Sequence, residues 1–276
     1  MREARYGGLL EFFLKRTTAV GPLVGRPFLA DEWESPARME FQDARPAVPW
    51  ALYLTNCAPI VGCLPLPNAS QMIKALFFDF DGVLTMDKTG SLTTTRYLSH
   101  ATGIEHMRVK AAFARFNEDL IRGKCTHASI WDEVCRDIGT NIDIALLDRA
   151  FASTPIDDEM LALAKRLRCN YVVGMITDNK QDRMDCLERL HRISSLFSPV
   201  VVSAAVGSTK TERAIFQRAL DVCRAKPAEC IFIDNTARNL DVPREMGIDA
   251  IHFDDEARDV PELTRELRRR RVVLPA

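Results

Sequence analysis

Apolar and polar positions divide the 276-residue chain into a stretch without a period and a stretch with a regular one. From Met72 onward, short apolar runs alternate with segments whose apolar residues recur every three to four positions. That is the pattern of strands alternating with amphipathic helices. The first run, Ile73–Thr85 (IKALFFDFDGVLT), is nearly continuous and ends abruptly at Asp79, Asp81 and Gly82. It suits a strand buried on both faces, with Gly82 letting the chain turn away sharply. Thr93–Thr102 then reads as helical. Val109, Ala112, Phe113, Phe116 and Leu120 share one face of a single predicted helix that Gly123 ends. Thr126 is placed to cap the next helix, with Ile130, Trp131, Val134, Cys135 and Ile138 inward. Asn141 is placed to cap another, with Ile144, Leu147 and Phe151 inward.

Alternation resumes at Thr154-Pro155, where Asp157, Asp158 and Glu159 mark a helix start and Ile156, Met160, Ala164 and Leu167 form its buried stripe. Strands are predicted at Tyr171–Ile176, Val200–Val202, Cys230–Ile233 and Ala250–Phe253. Helices are predicted through Met184–Leu190, Ile215–Cys223 and 240–246, and a basic helix closes the chain. Thr209 and Glu212 suggest a capping box around Lys210. The expected fold class is therefore α/β, a doubly wound parallel sheet of Rossmann-like type with a small inserted all-helical domain. The expected divisions are a core of 72–88 and 153–276, an insertion of 89–152, and a poorly ordered, proline-rich extension of 1–71. The uncharged part of that extension is interrupted by Pro49, Pro59, Pro65 and Pro67, so a membrane span is not expected there. Residues 1–71 are expected to contribute nothing to catalysis.

A charged fraction of 27% and a net charge of −1 give no global field that would favour nucleic acid or an anionic membrane. The eight cysteines are scattered without C-x-x-C spacing, as in reduced thiols of a cytoplasmic protein. A monomer or homodimer is expected. His106, His127 and His191 fall in helical patterns and read as surface or packing residues.

Three apolar strands end in polar clusters: Asp79 with Asp81, Thr177 with Asp178 and Asn179, and Asp234 with Asn235. In a parallel sheet these carboxyl ends lie along one edge, where an open α/β sheet binds its ligand. Desolvating carboxylates side by side is costly without a cation or a hydrogen-bond network. Carboxylates with Lys210 and a hydroxyl suit Mg²⁺ bound to a phosphate, and a helix N-terminus adds donors to phosphate oxygens.

The ordered set DFDGVLT at 79–85, ITDN at 176–179, GSTKTERAIF at 207–216 and IFIDNTARNL at 231–240 resembles the haloacid dehalogenase superfamily of phosphohydrolases. The insertion, through LIRGKCTHASIWDEVCRDIG at 120–139, resembles the helical cap of its phosphoglycolate- and sugar-phosphate-phosphatase-like branch. The resemblance implies a small phosphorylated metabolite as substrate. Asp79 would be the nucleophile forming an aspartyl-phosphate, and Asp81 the acid that protonates the leaving oxygen and then activates water. Thr177 would bind a phosphate oxygen with Asp178 and Asn179 beside it, and Lys210 would steady Asp79 and the phosphoryl group. Asp79, the Asp81 carbonyl and Asp234 would hold Mg²⁺, with Asn235 and Asn239 meeting it through water or fixing the loop.

Two departures stand out: Thr211 follows Lys210 where the family has proline, and Pro243 lies in the fourth-motif helix, where it is expected to distort the turn after Asp234. Asp81 favours phosphate chemistry over halide displacement, which needs no acid. A phosphonatase would need a cap lysine such as Lys110 or Lys124. A sugar-phosphate mutase and a non-catalytic metabolite-binding regulatory module remain alternatives. Substrate contacts are expected from Asp87, Lys88, Arg96, Tyr97, Arg115, Asn117 or Arg122. Truncating Lys210 is expected to leave the stability of the empty site unchanged or raised.

Overall fold

The computed structural model describes residues 72–275; the predicted extension 1–71 lies outside them. The described residues contain a parallel sheet of β1 (Ala75–Phe78), β2 (Val172–Thr177), β3 (Val200–Val202), β4 (Cys230–Asp234) and β5 (Asp249–His252), in the order β3-β2-β1-β4-β5. β1 is central, with Phe77 opposite Gly174 of β2 and Phe232 of β4. Strand alternation feeds two cores. Leu76, Phe78, Ile231 and Ile233 pack on one face with Met160, Leu163, Met184 and Leu187. Ala75, Phe77, Cys230 and Phe232 pack on the other with Ile215, Phe216, Ala219 and Leu220. Both faces are covered, which is why these strands read as unbroken apolar runs.

The helices in chain order are α1 (Gly90–Thr102), α2 (His106–Ala114), α3 (Asn117–Ile121), α4 (His127–Ile138), α5 (Ala145–Ala152) and α6 (Asp158–Leu167) before β2. α7 (Gln181–His191) and α8 (Ile193–Leu196) precede β3. α9 (Ser203–Val206) and α10 (Arg213–Cys223) precede β4, α11 (Asp241–Met246) precedes β5, and α12 (Val260–Arg269) follows it. α1–α5 enclose a separate apolar cluster around Leu98, Val109, Phe113, Trp131, Ile138 and Phe151, which Cys186 of α7 joins from below. The chain leaves and returns through a paired linker: Met86 N–H donates to the Pro155 carbonyl at 2.8 Å and Asp157 N–H to that of Leu84 at 3.0 Å.

Several local expectations change. The face Val109–Leu120 is split between α2 and α3, because the turn at Phe116 bonds back to the Phe113 carbonyl and restarts the helix. The aperiodic break is invisible to a stripe whose residues stay on one side. Asn141 does not cap α5; the Asp143 carboxylate accepts from Ala145 N–H instead, and Ile144, 41% exposed, faces outward. Thr126 does cap α4, reciprocally with Ser129, and Gly139 closes it at φ 79°. The box at Thr209 is half formed. Glu212 accepts from Thr209 N–H, but the Thr209 hydroxyl turns to Thr211, and α10 begins only at Arg213. Pro243 sits in the first turn of α11, where a backbone N–H has no intrahelical partner in any case. Its predicted distortion therefore has no bond to break. Among the described residues, no helix is long and apolar enough to cross a membrane.

Candidate functional site

Asp79 directly follows β1, and its carboxylate accepts from Phe80 N–H at 2.7 Å, fixing the start of the turn Phe80–Leu84. Within that turn Asp81 is extended (φ −74°, ψ 129°) and Gly82 is left-handed (φ 80°). A Cβ on Gly82 would stand 2.2 Å from Asn235 Nδ2, so only glycine allows the turn to pass against the loop after β4. Arg258 ties the turn down from the loop after β5, donating to the carbonyls of Gly82 and Val83 at 3.0 Å each and pairing with Asp157.

The strand-end clusters do converge. Lys210, 2% exposed, lies 2.7 Å from Asp79 Oδ2 and 2.6 Å from Asp234 Oδ2. Burial opposes its charge, but the carboxylates of Asp79, Asp234 and Asp178 more than offset that and hold the ammonium charged above its ordinary range. Burial pushes the Asp79 carboxyl well up, with Lys210 opposing and Asp234 adding to the rise. Asp234 is fully buried. It accepts from Thr236 N–H at 2.7 Å and from Asn239 Nδ2 at 3.2 Å on both oxygens. Asp178, raised mainly by burial, accepts from Lys210 N–H at 2.9 Å and so orients the lysine rather than capping a helix.

The geometry reverses the expectation for Lys210. Removing it would leave two buried carboxylates facing each other without their shared donor, the arrangement in which breaking a buried pair costs stability.

Asp79, Asp81, Thr177, Asp178, Lys210, Asn235 and Asn239 border one cavity of about 410 Å³. Asn179 does not border it. Its amide donates to Asp81 at 2.9 Å, and its oxygen accepts from Lys180 N–H and from Arg183. Of the residues expected to meet substrate, Lys88 and Asn117 line the cavity, as does Lys110. Asp87 and Arg96 pair with each other, Arg115 pairs with Glu133 and Asp137, Arg122 with Glu118 and Glu212, and Lys124 with Asp119. Tyr97 packs against the helical cluster.

Two residues of α7 and the loop before it escaped sequence reasoning. Arg183, 1% exposed, grips Asp81 with two bonds of 2.9 Å and also reaches Thr154 at 3.1 Å. It passes so close under α1 that a Cβ on Gly90 would meet its guanidinium at 2.3 Å. Lys180, 7% exposed, donates to Ser91 Oγ at 2.7 Å. An arginine or lysine on a helix beside a motif reads as surface; Gly90 at a helix start is the one trace Arg183 leaves in the sequence.

The metal expectation is tested by the donors present. Among the described residues there is no cluster of three or more His, Cys, Asp or Glu side chains suited to a metal. The set is two carboxylates with the amides of Asn235 and Asn239 on the same cavity, leaving coordination for water and ligand, as Mg²⁺ requires and structural zinc does not. Asp79 and Asp234 share one lysine, which leaves a negative charge that a further cation would offset. The residues fit.

A parallel α/β sheet of order 3-2-1-4-5, with acids and a buried lysine converging where the strand order reverses, defines a Rossmann-like enzyme core. The chain belongs to the haloacid dehalogenase-like hydrolase family, whose profile matches residues 73–247, more than half of its length. It is 28% identical over 215 residues to bifunctional epoxide hydrolase 2 of Rattus norvegicus, covering 70% of this chain and 38% of that protein. The chain thus spans well under half the length of this relative. A HAD-family enzyme of Bacteroides thetaiotaomicron, solved with magnesium and inorganic phosphate, superposes with a TM-score of 0.56 at 22% identity, over 69% of this chain and 98% of that one. L-2-haloacid dehalogenase of Xanthobacter autotrophicus, with chloropropionic acid covalently bound, superposes with a TM-score of 0.52 at 15% identity, over 73% and 85% of the two chains. These likenesses carry the fold.

Proposed function

We propose that the protein is a Mg²⁺-dependent phosphohydrolase that cleaves a small phosphorylated metabolite through an aspartyl-phosphate on Asp79. The observation that carries this reading is the Lys210 ammonium within 2.7 Å of both Asp79 and Asp234, on the floor of a cavity at the strand ends. Asp79 attacks phosphorus and the ester oxygen leaves; water then attacks the aspartyl-phosphate, releasing phosphate and restoring Asp79. Lys210 offsets the charge that builds on the phosphoryl oxygens. Thr177, buried at the end of β2, offers its hydroxyl to one of them. Asp79 and Asp234, with the Asp81 carbonyl, would hold Mg²⁺, which supplies further charge compensation when bound. Magnesium in the Bacteroides relative supports that choice of ion.

Asp81 has the role of acid and base, and its geometry sets a condition. Arg183 engages both carboxylate oxygens of Asp81, so Asp81 must release part of Arg183 to present an oxygen to the leaving group. Arg183 lies between Gly90 and Thr154, where the two linkers to α1–α5 begin and end. The helical block is read as a cap over the cavity, through Ser91, Phe113 and Asn117.

A phosphate-release screen over phosphorylated metabolites with Mg²⁺ tests the reading. Wild type should release phosphate from at least one, and Asp79→Asn from none. Conversion of a sugar phosphate to its isomer without phosphate release would instead identify a mutase.

A further inference from the structure

The cavity extends beyond the reacting groups, and its two ends differ in charge. At the strand ends every acid is engaged: Asp79 and Asp234 by Lys210, Asp81 by Arg183, and Asp178 by Lys210 N–H. The wall formed by α1–α3 and the turn before α1 includes Lys88, Ser91, Lys110 and Asn117 and no carboxylate, and Lys180, two residues after Asp178, reaches it at Ser91. Lys88 leans 3.5 Å from Asp255. Lys180 is different. It is buried, and among the described residues no carboxylate lies within 4 Å of its ammonium. One of its three donors goes to Ser91 Oγ at 2.7 Å, and Ser91 Oγ in turn donates to Asn117 Oδ1 at 3.3 Å.

A buried ammonium without a counter-ion is costly, and the cost shows: burial, with Arg183 adding, lowers the Lys180 pKa to about 8. Asp81, Asp182 and Asp178 act on it only from a distance. Two of its donors are left for an anion in the cavity that it borders.

We propose that this wall is a second anion subsite, and that the substrate carries, besides the phosphoryl group that is cleaved, a carboxylate or second phosphate that Lys180 binds. Ser91 holds the lysine's stem end in place, and Lys110 adds charge at the rim. This rests on the phosphohydrolase reading of the same cavity. A volume of about 410 Å³ suits a small metabolite bearing two anionic groups, one at each end.

The test compares three monoesters of similar size with the full-length Mg²⁺-loaded protein: glycerol 3-phosphate, 3-phosphoglycerate and propane-1,3-diol bisphosphate. Wild type should favour at least one of the latter two over glycerol 3-phosphate by tenfold or more in kcat/KM. Which one it favours distinguishes carboxylate from phosphate. Lys180→Met should reduce that preference at least tenfold, chiefly through KM, and Lys180→Arg should retain part of it. Equal turnover of all three by wild type overturns the subsite and leaves the phosphohydrolase reading standing. So does a Lys180→Met loss of the same factor on every substrate, which would make Lys180 a structural residue. Absence of phosphate release from these three and from p-nitrophenyl phosphate overturns both.

Discussion

Lys210 and Lys180 are buried lysines bordering the same cavity, yet their surroundings push them in opposite directions. Lys210 is held charged by two carboxylates at hydrogen-bond distance, so Lys210→Ala should both lose activity and unfold more easily. Breaking a buried pair costs about 3–5 kcal/mol. Urea unfolding should show that loss, while kcat/KM falls by more than tenfold. A fall of less than tenfold, under about 1.4 kcal/mol of barrier, would remove Lys210 from the chemistry. For Lys180, the folded pKa of about 8 lies below the 10.5 of the free side chain. Between those values the unfolded chain binds more protons, so stability rises with pH across that window. Below pH 8 the full cost is present, about 3 kcal/mol for a depression of this size. The stability advantage of Lys180→Met should therefore be largest near pH 7 and shrink toward pH 10, as thermal unfolding across that range would show. An advantage independent of pH would contradict the assignment.

At the scale of elements, the helical block is fastened to the core at a definite point. His127, at the start of α4, is buried; its Nδ1 lies 2.8 Å from Asp182 of α7, and its backbone N–H donates to the same carboxylate at 3.2 Å. Burial opposes the Asp182 charge, but these His127 bonds hold its carboxyl below the usual range. His127→Ala should cost about 1–3 kcal/mol through the unpaired acceptor, and hydrogen exchange should quicken in α4 and α7 before it does in β1. The strands and the order of the motifs were legible because burial on both sheet faces leaves unbroken apolar runs that end in charge. Thr126 and Gly139 were legible as caps because capping chemistry is local. The break at Phe116 and the capping of α5 by Asp143 were not, since neither disturbs the apolar spacing. Nor were the contacts of Arg183 and Lys180, because a cation on an amphipathic helix is assigned to solvent unless its distant partner is known. The carboxylate Arg183 meets is 102 residues away in the chain.

For the whole molecule, residues 72–275 contain the sheet, three apolar clusters and every group assigned to the cavity. A fragment spanning 72–276 should therefore unfold cooperatively and retain the phosphatase rate of the full chain. A fall of many degrees in melting temperature, or a changed substrate preference, would show that residues 1–71 belong to the working enzyme. The central claim is the covalent step on Asp79, and it is tested most directly by trapping it. With p-nitrophenyl phosphate, whose leaving group needs no proton, Asp81→Asn should still be phosphorylated but dephosphorylate slowly. Acid quenching and mass analysis should then find one added phosphoryl group on the peptide containing Asp79, and none in Asp79→Asn. Substantial phosphate release by Asp79→Asn, or turnover with no phosphoryl group on that peptide, would contradict the account.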